Sequence, residues 1–285
     1  MDAPWAHRWA TVNGLRLHYV EAGAGRVVLL LHGFPEFWYA WRHQIPALAA
    51  AGCRVLAPDL RGYNESAKPR GVRSYRLSLL VQDVAGLLAH AGAERAAVVG
   101  HDWGGVIAWR LAMDRPELVE RLAILDAPHP AAFLRELRRP AQWLRSSYML
   151  FFQLPLLPEW VLSAGDFALL VRAWRRQPVH KPAFSDQDLG RYKEALSRPG
   201  ALTAALNYYR ALLRTPGGLA RDLRPVTAPT LLLWGERDSY LGVGMTQGLD
   251  AWVRDLTVVR IPDASHWLQN DIPARVNALL AAFLR

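Results

Sequence analysis

Gly100-His101-Asp102-Trp103-Gly104-Gly105 is the stretch whose reading decides how this chain folds. The apolar run Arg95-Ala-Ala-Val-Val-Gly100 leads into it as a short buried strand. Val106-Ile-Ala-Trp-Arg-Leu-Ala-Met113 continues from it as a helix that ends before Pro116. A strand, a glycine-bounded turn and a helix in that order make a sharp elbow, which lifts its central side chain above the strand end. Glycines at 100, 104 and 105 permit the close backbone approach such a turn needs. The central residue is an aspartate where elbows of this kind normally carry serine. A carboxylate, with a reference pKa of about 3.9, is ionised at neutral pH and attacks without a base. Against an ester or amide it would form a high-energy anhydride, but against a saturated carbon bearing a leaving group it forms an ordinary alkyl ester. Epoxides and alkyl halides are electrophiles of that type. The plain structural alternative is that Asp102 caps the helix that follows it.

Outward from the elbow, the chain alternates strand and helix. Residues 7–14 and 15–21, joined through Asn13-Gly14, read as an antiparallel hairpin. A continuous aliphatic strand at 26–31 follows, then a helix near 40–51, a strand at 54–58, a helix at 77–90, the elbow, and a strand at 121–126. About a hundred residues without a good strand come next, before Thr230-Leu-Leu-Leu-Trp-Gly235 resumes the alternation. A strand at 256–261 and a helix at 273–284 close the chain. The succession predicts a mostly parallel, doubly wound α/β sheet with its ligand at the carboxyl ends of the strands. It divides the chain into a core of residues 1–128 and 229–285 and a helical lid of residues 129–228, inserted between the sixth and seventh strands.

Composition agrees with one core plus an insertion: 285 residues, 52% of them hydrophobic, with no compositional break. The first residues, Met1-Asp-Ala-Pro-Trp, match neither a signal nor a transit peptide, and the apolar stretch at 148–158 is too short and proline-broken to span a bilayer. A soluble, cytoplasmic protein is the expectation. The single cysteine, Cys53, excludes an internal disulfide and reads as a structural strand thiol. The formal charge of +9 rests on arginines such as Arg135, Arg138, Arg139, Arg145, Arg172, Arg175 and Arg176. Interleaved with leucine and tryptophan at helical spacing, they read as a solvated helix face, and no nucleic-acid module accompanies them. Nine histidines show no metal-ligand spacing, so neither metal nor cofactor is expected.

His32-Gly33-Phe34-Pro35-Glu36, Asp59-Leu-Arg-Gly-Tyr-Asn-Glu-Ser66, the elbow, Tyr148-Met-Leu-Phe-Phe-Gln-Leu-Pro155 and Leu206-Asn-Tyr-Tyr-Arg210 together resemble the epoxide hydrolase branch of the α/β-hydrolases, over nearly the whole chain. The lid runs are similar to those of membrane-associated vertebrate members as well as bacterial ones. The resemblance implies a nucleophile, acid and histidine in that chain order. Asp102 is then the nucleophile. His266, in Ala264-Ser-His-Trp267, is the general base toward water, and Asp238, in Gly235-Glu-Arg-Asp238, orients it. Asp126, at the end of the preceding strand, is a rival for the orienting acid. The backbone N–H groups of Phe34 and Trp103 would form the oxyanion hole, with a cis bond before Pro35. Phe34, Pro35, Trp103 and Phe152 would wall the pocket.

An epoxide oxygen leaves as a strong base and needs a proton donor, whereas a halide needs only N–H donors. The resemblance assigns that donor role to Tyr148 and Tyr209; without it, each reads as a packed lid aromatic. Helical spacing puts Tyr209 on one face with Leu202, Leu206 and Leu213, and turns Tyr208 about 100° away. The expected substrate is an apolar epoxide, aromatic or fatty-chained, with water as co-substrate. Two alternatives stay open: a haloalkane dehalogenase using the same aspartate, with Trp103 as halide ligand, and a non-enzymatic binding protein. Oligomeric state is not legible.

Overall fold

The structure, a computed structural model, describes residues 5–285; residues 1–4, which open the segment read as lacking a leader, lie outside them. Asn13 and Gly14, with φ of 50° and 74°, close the hairpin of β1 (Ala6–Val12) and β2 (Leu15–Ala22), as an Asn-Gly pair does in a two-residue turn that matches the strand twist. Then come β3 (Arg26–Leu31), α1 (Gln44–Ala50), β4 (Cys53–Pro58), α2 (Leu77–His90), β5 (Ala96–His101), α3 (Trp103–Asp114) and β6 (Val119–Leu125). Six helices follow: α4 (Pro130–Glu136), α5 (Pro140–Arg145), α6 (Tyr148–Phe151), α7 (Leu157–Arg176), α8 (Asp186–Ser197) and α9 (Ala201–Arg214). The sheet resumes with β7 (Thr230–Gly235) and β8 (Leu256–Ile261), and the chain ends in α10 (Leu268–Asp271) and α11 (Pro273–Phe283).

Eight strands form one sheet in the order β1-β2-β4-β3-β5-β6-β7-β8. Pairing is antiparallel from β1 through β2 to β4 and parallel across the rest. This is the α/β-hydrolase fold, with the six helices expected as a lid inserted between the sixth and seventh strands. Helices on both faces explain why β3, β5 and β7 are unbroken apolar runs rather than alternating ones: Val28 to Leu31, Ala96 to Val99 and Leu231 to Trp234 are all buried. Cys53, buried at the start of β4, packs in the core.

Several boundaries differ from the sequence reading. The helix expected near 40–51 is a 3-10 turn at Trp38–Trp41 followed by α1. Pro46 sits in the first turn of α1, where no N–H is needed; a helix starting at residue 40 would bury that proline mid-helix and lose a hydrogen bond. Helix α3 begins at Trp103 rather than 106, because its glycines press it onto the sheet: a Cβ on Gly104 would stand 2.1 Å from the Leu31 carbonyl oxygen. α7 is broken at residues 164–167 by non-helical backbone. In α9, Leu202 and Leu206 are buried but Leu213 is half exposed, so the apolar face that carries Tyr209 ends one turn early. The single turn of α10 is too short to leave a periodic signal.

The lid is tied to the core by polar bonds. Tyr208 donates its hydroxyl to the Arg61 carbonyl (2.7 Å), and the Arg61 guanidinium makes a two-pronged pair with Asp83 (2.6 and 2.7 Å). On the other flank, Asp188 of α8 meets Arg42 at 3.2 Å and accepts from the Tyr39 hydroxyl at 2.9 Å.

Candidate active site

Asp102 stands at the tip of the elbow with φ of 48° and ψ of −119°, a left-handed conformation that a non-glycine residue holds only under surrounding constraint. The constraint is visible at Gly33, where a Cβ would lie 2.4 Å from that of Asp102. The side chain therefore emerges into a cavity of about 290 Å³, of the size that takes a small ligand. Phe34, Pro35, Tyr148, Phe152, Tyr209, Tyr240 and His266 also line it. Trp103 lines a smaller annex of about 50 Å³, which shares Asp102, Tyr148 and Tyr209 with the main cavity.

The turn after β3 aims a backbone donor at the carboxylate. His32, fully buried, accepts the Leu60 N–H at Nε2 (3.0 Å) and donates from Nδ1 to the Gly33 carbonyl (3.0 Å), two bonds that need a neutral ring. Burial lowers its pKa and keeps it so. The peptide between Phe34 and Pro35 is cis, as the resemblance implied. Phe34 N–H donates to Asp102 Oδ1 at 2.7 Å, which leaves Oδ2 to face the histidine.

His266 Nδ1–H donates to Asp238 Oδ2 at 2.7 Å, while Nε2 stands 3.8 Å from Asp102 Oδ2. Asp238 Oδ1 is held by the N–H groups of Tyr240 (2.6 Å) and Leu241 (2.9 Å), an aspartate turn that fixes the carboxylate from its own strand-end loop. Burial alone would lower the His266 pKa, but the charges of Asp238 and Asp102 outweigh it and push it up to about 10. The resting imidazole is thus a cation between two carboxylates. Asp126, the rival acid, accepts the Gly235 N–H at Oδ1 (2.8 Å) and makes no hydrogen bond to His266 among the described residues. Burial, then the Asp238 charge, raise its pKa well above the usual carboxylate value, so its charged form is disfavoured.

Tyr148 and Tyr209 meet edge to face with ring centroids 5.8 Å apart, and both line the cavity into which Asp102 emerges. Burial raises both phenol pKa values, and the Asp102 charge adds to each. Both phenols stay protonated at neutral pH. Tyr208, one residue away, is turned into the core against Tyr63 and Tyr75, as the helical rotation requires.

Other residues at the site carry no signal of their own in the sequence. Tyr240 lies 5.2 Å from the His266 ring and 5.9 Å from Tyr148, and burial pushes its pKa up to about 12. His101 Nε2–H donates to the His266 carbonyl (2.8 Å), with Glu36 3.1 Å from its Nδ1, so a buried pair behind the elbow holds the His266 backbone. Asp271 accepts from the Ser265, Val179 and His180 N–H groups (2.8, 3.1 and 2.7 Å), tying the lid to the His266 loop. The His101 contact with His266 spans 165 residues and the Asp271 contact with Val179 spans 92, separations that no local pattern encodes.

The whole assembly sits where strand ends meet an insertion, and the model of the alpha/beta hydrolase fold family matches residues 26–271. The chain belongs to that family. Among relatives of this α/β-hydrolase, the AB hydrolase superfamily protein YfhM of Bacillus subtilis (strain 168) is 43% identical over 98% of this chain and 97% of its own. Epoxide hydrolase 4 of Mus musculus is 42% identical over 96% of this chain and 77% of its length. In structure, the α/β-hydrolase is similar to an epoxide hydrolase of Bacillus megaterium solved with an inhibitor. The TM-score is 0.90 at 33% identity, covering 97% of this chain and 99% of that one.

Proposed function

We propose that the protein is an epoxide hydrolase that turns an apolar epoxide into a vicinal diol through a covalent ester on Asp102. The observation that carries this reading is the pair of protonated lid phenols, Tyr148 and Tyr209, lining one cavity with a carboxylate nucleophile. Asp102 Oδ2 attacks an epoxide carbon, the C–O bond breaks, and the departing oxygen takes a proton from a tyrosine hydroxyl. Ester formation removes the Asp102 charge that helps raise the His266 pKa, so the imidazolium releases its proton, which restores the tyrosine through solvent.

Neutral His266, oriented by Asp238, then takes a proton from water as the water oxygen attacks the ester carbon. The oxyanion develops on Oδ1, where the Phe34 N–H already points, with the Trp103 N–H as the second donor. Collapse expels the diol oxygen, which takes the remaining water proton, and Asp102 returns as carboxylate beside a charged His266. Atoms and charges balance to epoxide plus water giving diol.

A halide-releasing reaction would leave the two phenols without a task. It would also rely on a Trp103 indole packed edge-on between Tyr208 (5.4 Å) and Tyr209 (5.0 Å), outside the main cavity. The deciding experiment is a single turnover in ¹⁸O-labelled water with excess enzyme. Label is expected in Asp102, read by peptide mass spectrometry, and first-turnover diol should be unlabelled. Label in that first diol would mean direct attack by water and would overturn the covalent route.

A further inference from the structure

The lid carries charge and apolar surface far out of proportion to its length. Residues 129–228 hold 15 of the 34 Lys and Arg but 7 of the 25 Asp and Glu, which is +8 of the chain's net +9. The same span holds ten of the twelve large apolar side chains exposed among the described residues, and seven of those ten lie within residues 143–160. Trp143 is 53% exposed and Trp160 69%. Tryptophan is on average a highly buried side chain, and exposed apolar side chains clustered in this way mark an interaction surface. Leu134, Trp143, Leu150 and Leu213 line an apolar groove of about 350 Å³ on this face, separate from the catalytic cavity. Arg138 and Arg145 stand exposed on either side of α5 and make no ion pair among the described residues.

We propose that the 143–160 face of the lid docks on the surface of an anionic lipid bilayer. Trp143, Trp160 and the exposed leucines enter the boundary between headgroups and acyl chains, while Arg138 and Arg145 bind lipid phosphates. Charge complementarity selects this occupant: a second copy would bring another strongly cationic lid against the first, whereas an anionic bilayer supplies the opposite sign and an apolar interior together. No helix among the described residues is long and apolar enough to cross a membrane, so the contact is peripheral. The face also borders the catalytic cavity, since Val161 follows Trp160 in α7 and lines it, as does the half-exposed Leu169. Docking sets the mouth of that cavity against the phase in which an apolar substrate dissolves.

The test is co-sedimentation of the full chain, without substrate, with phosphatidylcholine vesicles that contain or lack about 30% phosphatidylglycerol. Binding is expected to the anionic vesicles and to weaken about tenfold when salt is raised from roughly 0.05 to 0.5 M. Trp143→Ser with Trp160→Ser, and separately Arg138→Gln with Arg145→Gln, should each lower vesicle affinity at least about tenfold while near-UV circular dichroism is unchanged. Absence of pelleting, or pelleting indifferent to both double variants, would overturn the proposal. So would a concentration-dependent dimer in sedimentation velocity that the tryptophan variant abolishes, which would give the face to a second copy. Because no substrate is present, the result is independent of the reaction proposed above.

Discussion

Two neighbouring strands end in nearly the same way and to opposite chemical effect. Asp102 follows β5 and Asp126 follows β6, and each holds a left-handed backbone, with φ of 48° and 41°. The Asp102 side chain keeps 18% of its surface open and accepts from Phe34, whereas Asp126 is wholly buried with one oxygen unpartnered. Local backbone form therefore lifts a carboxylate above the sheet, but the surroundings decide whether it can react. At β5 the insertion leaves a cavity overhead. At β6 the acid is covered, and the absence of water makes its charged form the costly one.

The comparison can be broken most sharply at its reactive end. Asp102→Ala should lower diol formation by on the order of 10⁴-fold or more and leave no ester detectable by intact-protein mass spectrometry. A variant retaining ordinary turnover would remove the elbow from the chemistry. His266→Ala should slow turnover by about 10³-fold and accumulate the hydroxyalkyl ester, seen as a mass increase equal to that of the epoxide. Free enzyme at steady state in that variant would contradict the assigned division of labour.

Smaller effects sharpen the contrast. Tyr148→Phe combined with Tyr209→Phe should cost roughly 10²-fold to 10³-fold in epoxide turnover, measured as diol release, with substrate binding largely kept. If the double variant instead spared activity, and halide release from haloalkanes were found, the dehalogenase reading would replace the epoxide one. Asp126→Asn keeps an acceptor for the Gly235 N–H and removes a charge that burial and Asp238 already disfavour, so activity should stay within about threefold. A loss comparable to that of Asp102→Ala would show that Asp126 works as an anion.

The pH dependence of stability separates the groups again. His266 has its folded pKa raised from 6.5 to about 10, so its stabilising contribution is complete below the unfolded value and is lost as pH rises through about 10. The melting temperature should fall between about pH 6.5 and pH 10 by an amount that Asp238→Asn reduces, with the fall ending at lower pH in that variant. Asp126 is also raised, so its contribution is present below the ordinary carboxylate range and is lost as pH climbs toward its folded pKa. Asp126→Asn should flatten that part of the curve.

Much of the fold could be read along the chain because it depends on near neighbours. The Asn13-Gly14 hairpin, the strands at 26–31, 230–235 and 256–261, and the helix at 77–90 have signals in turn chemistry or periodicity. Two boundaries slipped: a local proline, Pro46, set the start of α1 later than its apolar pattern suggests, and distant contact with β3 drew Gly104 and Gly105 into α3. The site divides in the same manner. Asp102, His266 and Asp238 are legible as residues at strand ends, with Asp238 preferred over Asp126 on the resemblance of Gly235-Glu-Arg-Asp238, but only folding brings Asp238 within 2.7 Å of His266, 28 residues away.

By itself the amino-acid sequence determined the kind of chemistry available, because side-chain type and elbow form are properties of a few adjacent residues. It also set the alternation that yields a doubly wound sheet. Tertiary structure decided which groups share a cavity and in what charge state. His101 behind His266, Tyr240 beside it, Asp271 bridging lid to loop, and the raised pKa of Asp126 all follow from distance and burial. Electrostatic energy depends on how far apart charges lie and how much water separates them, and neither quantity exists until the chain has folded back on itself.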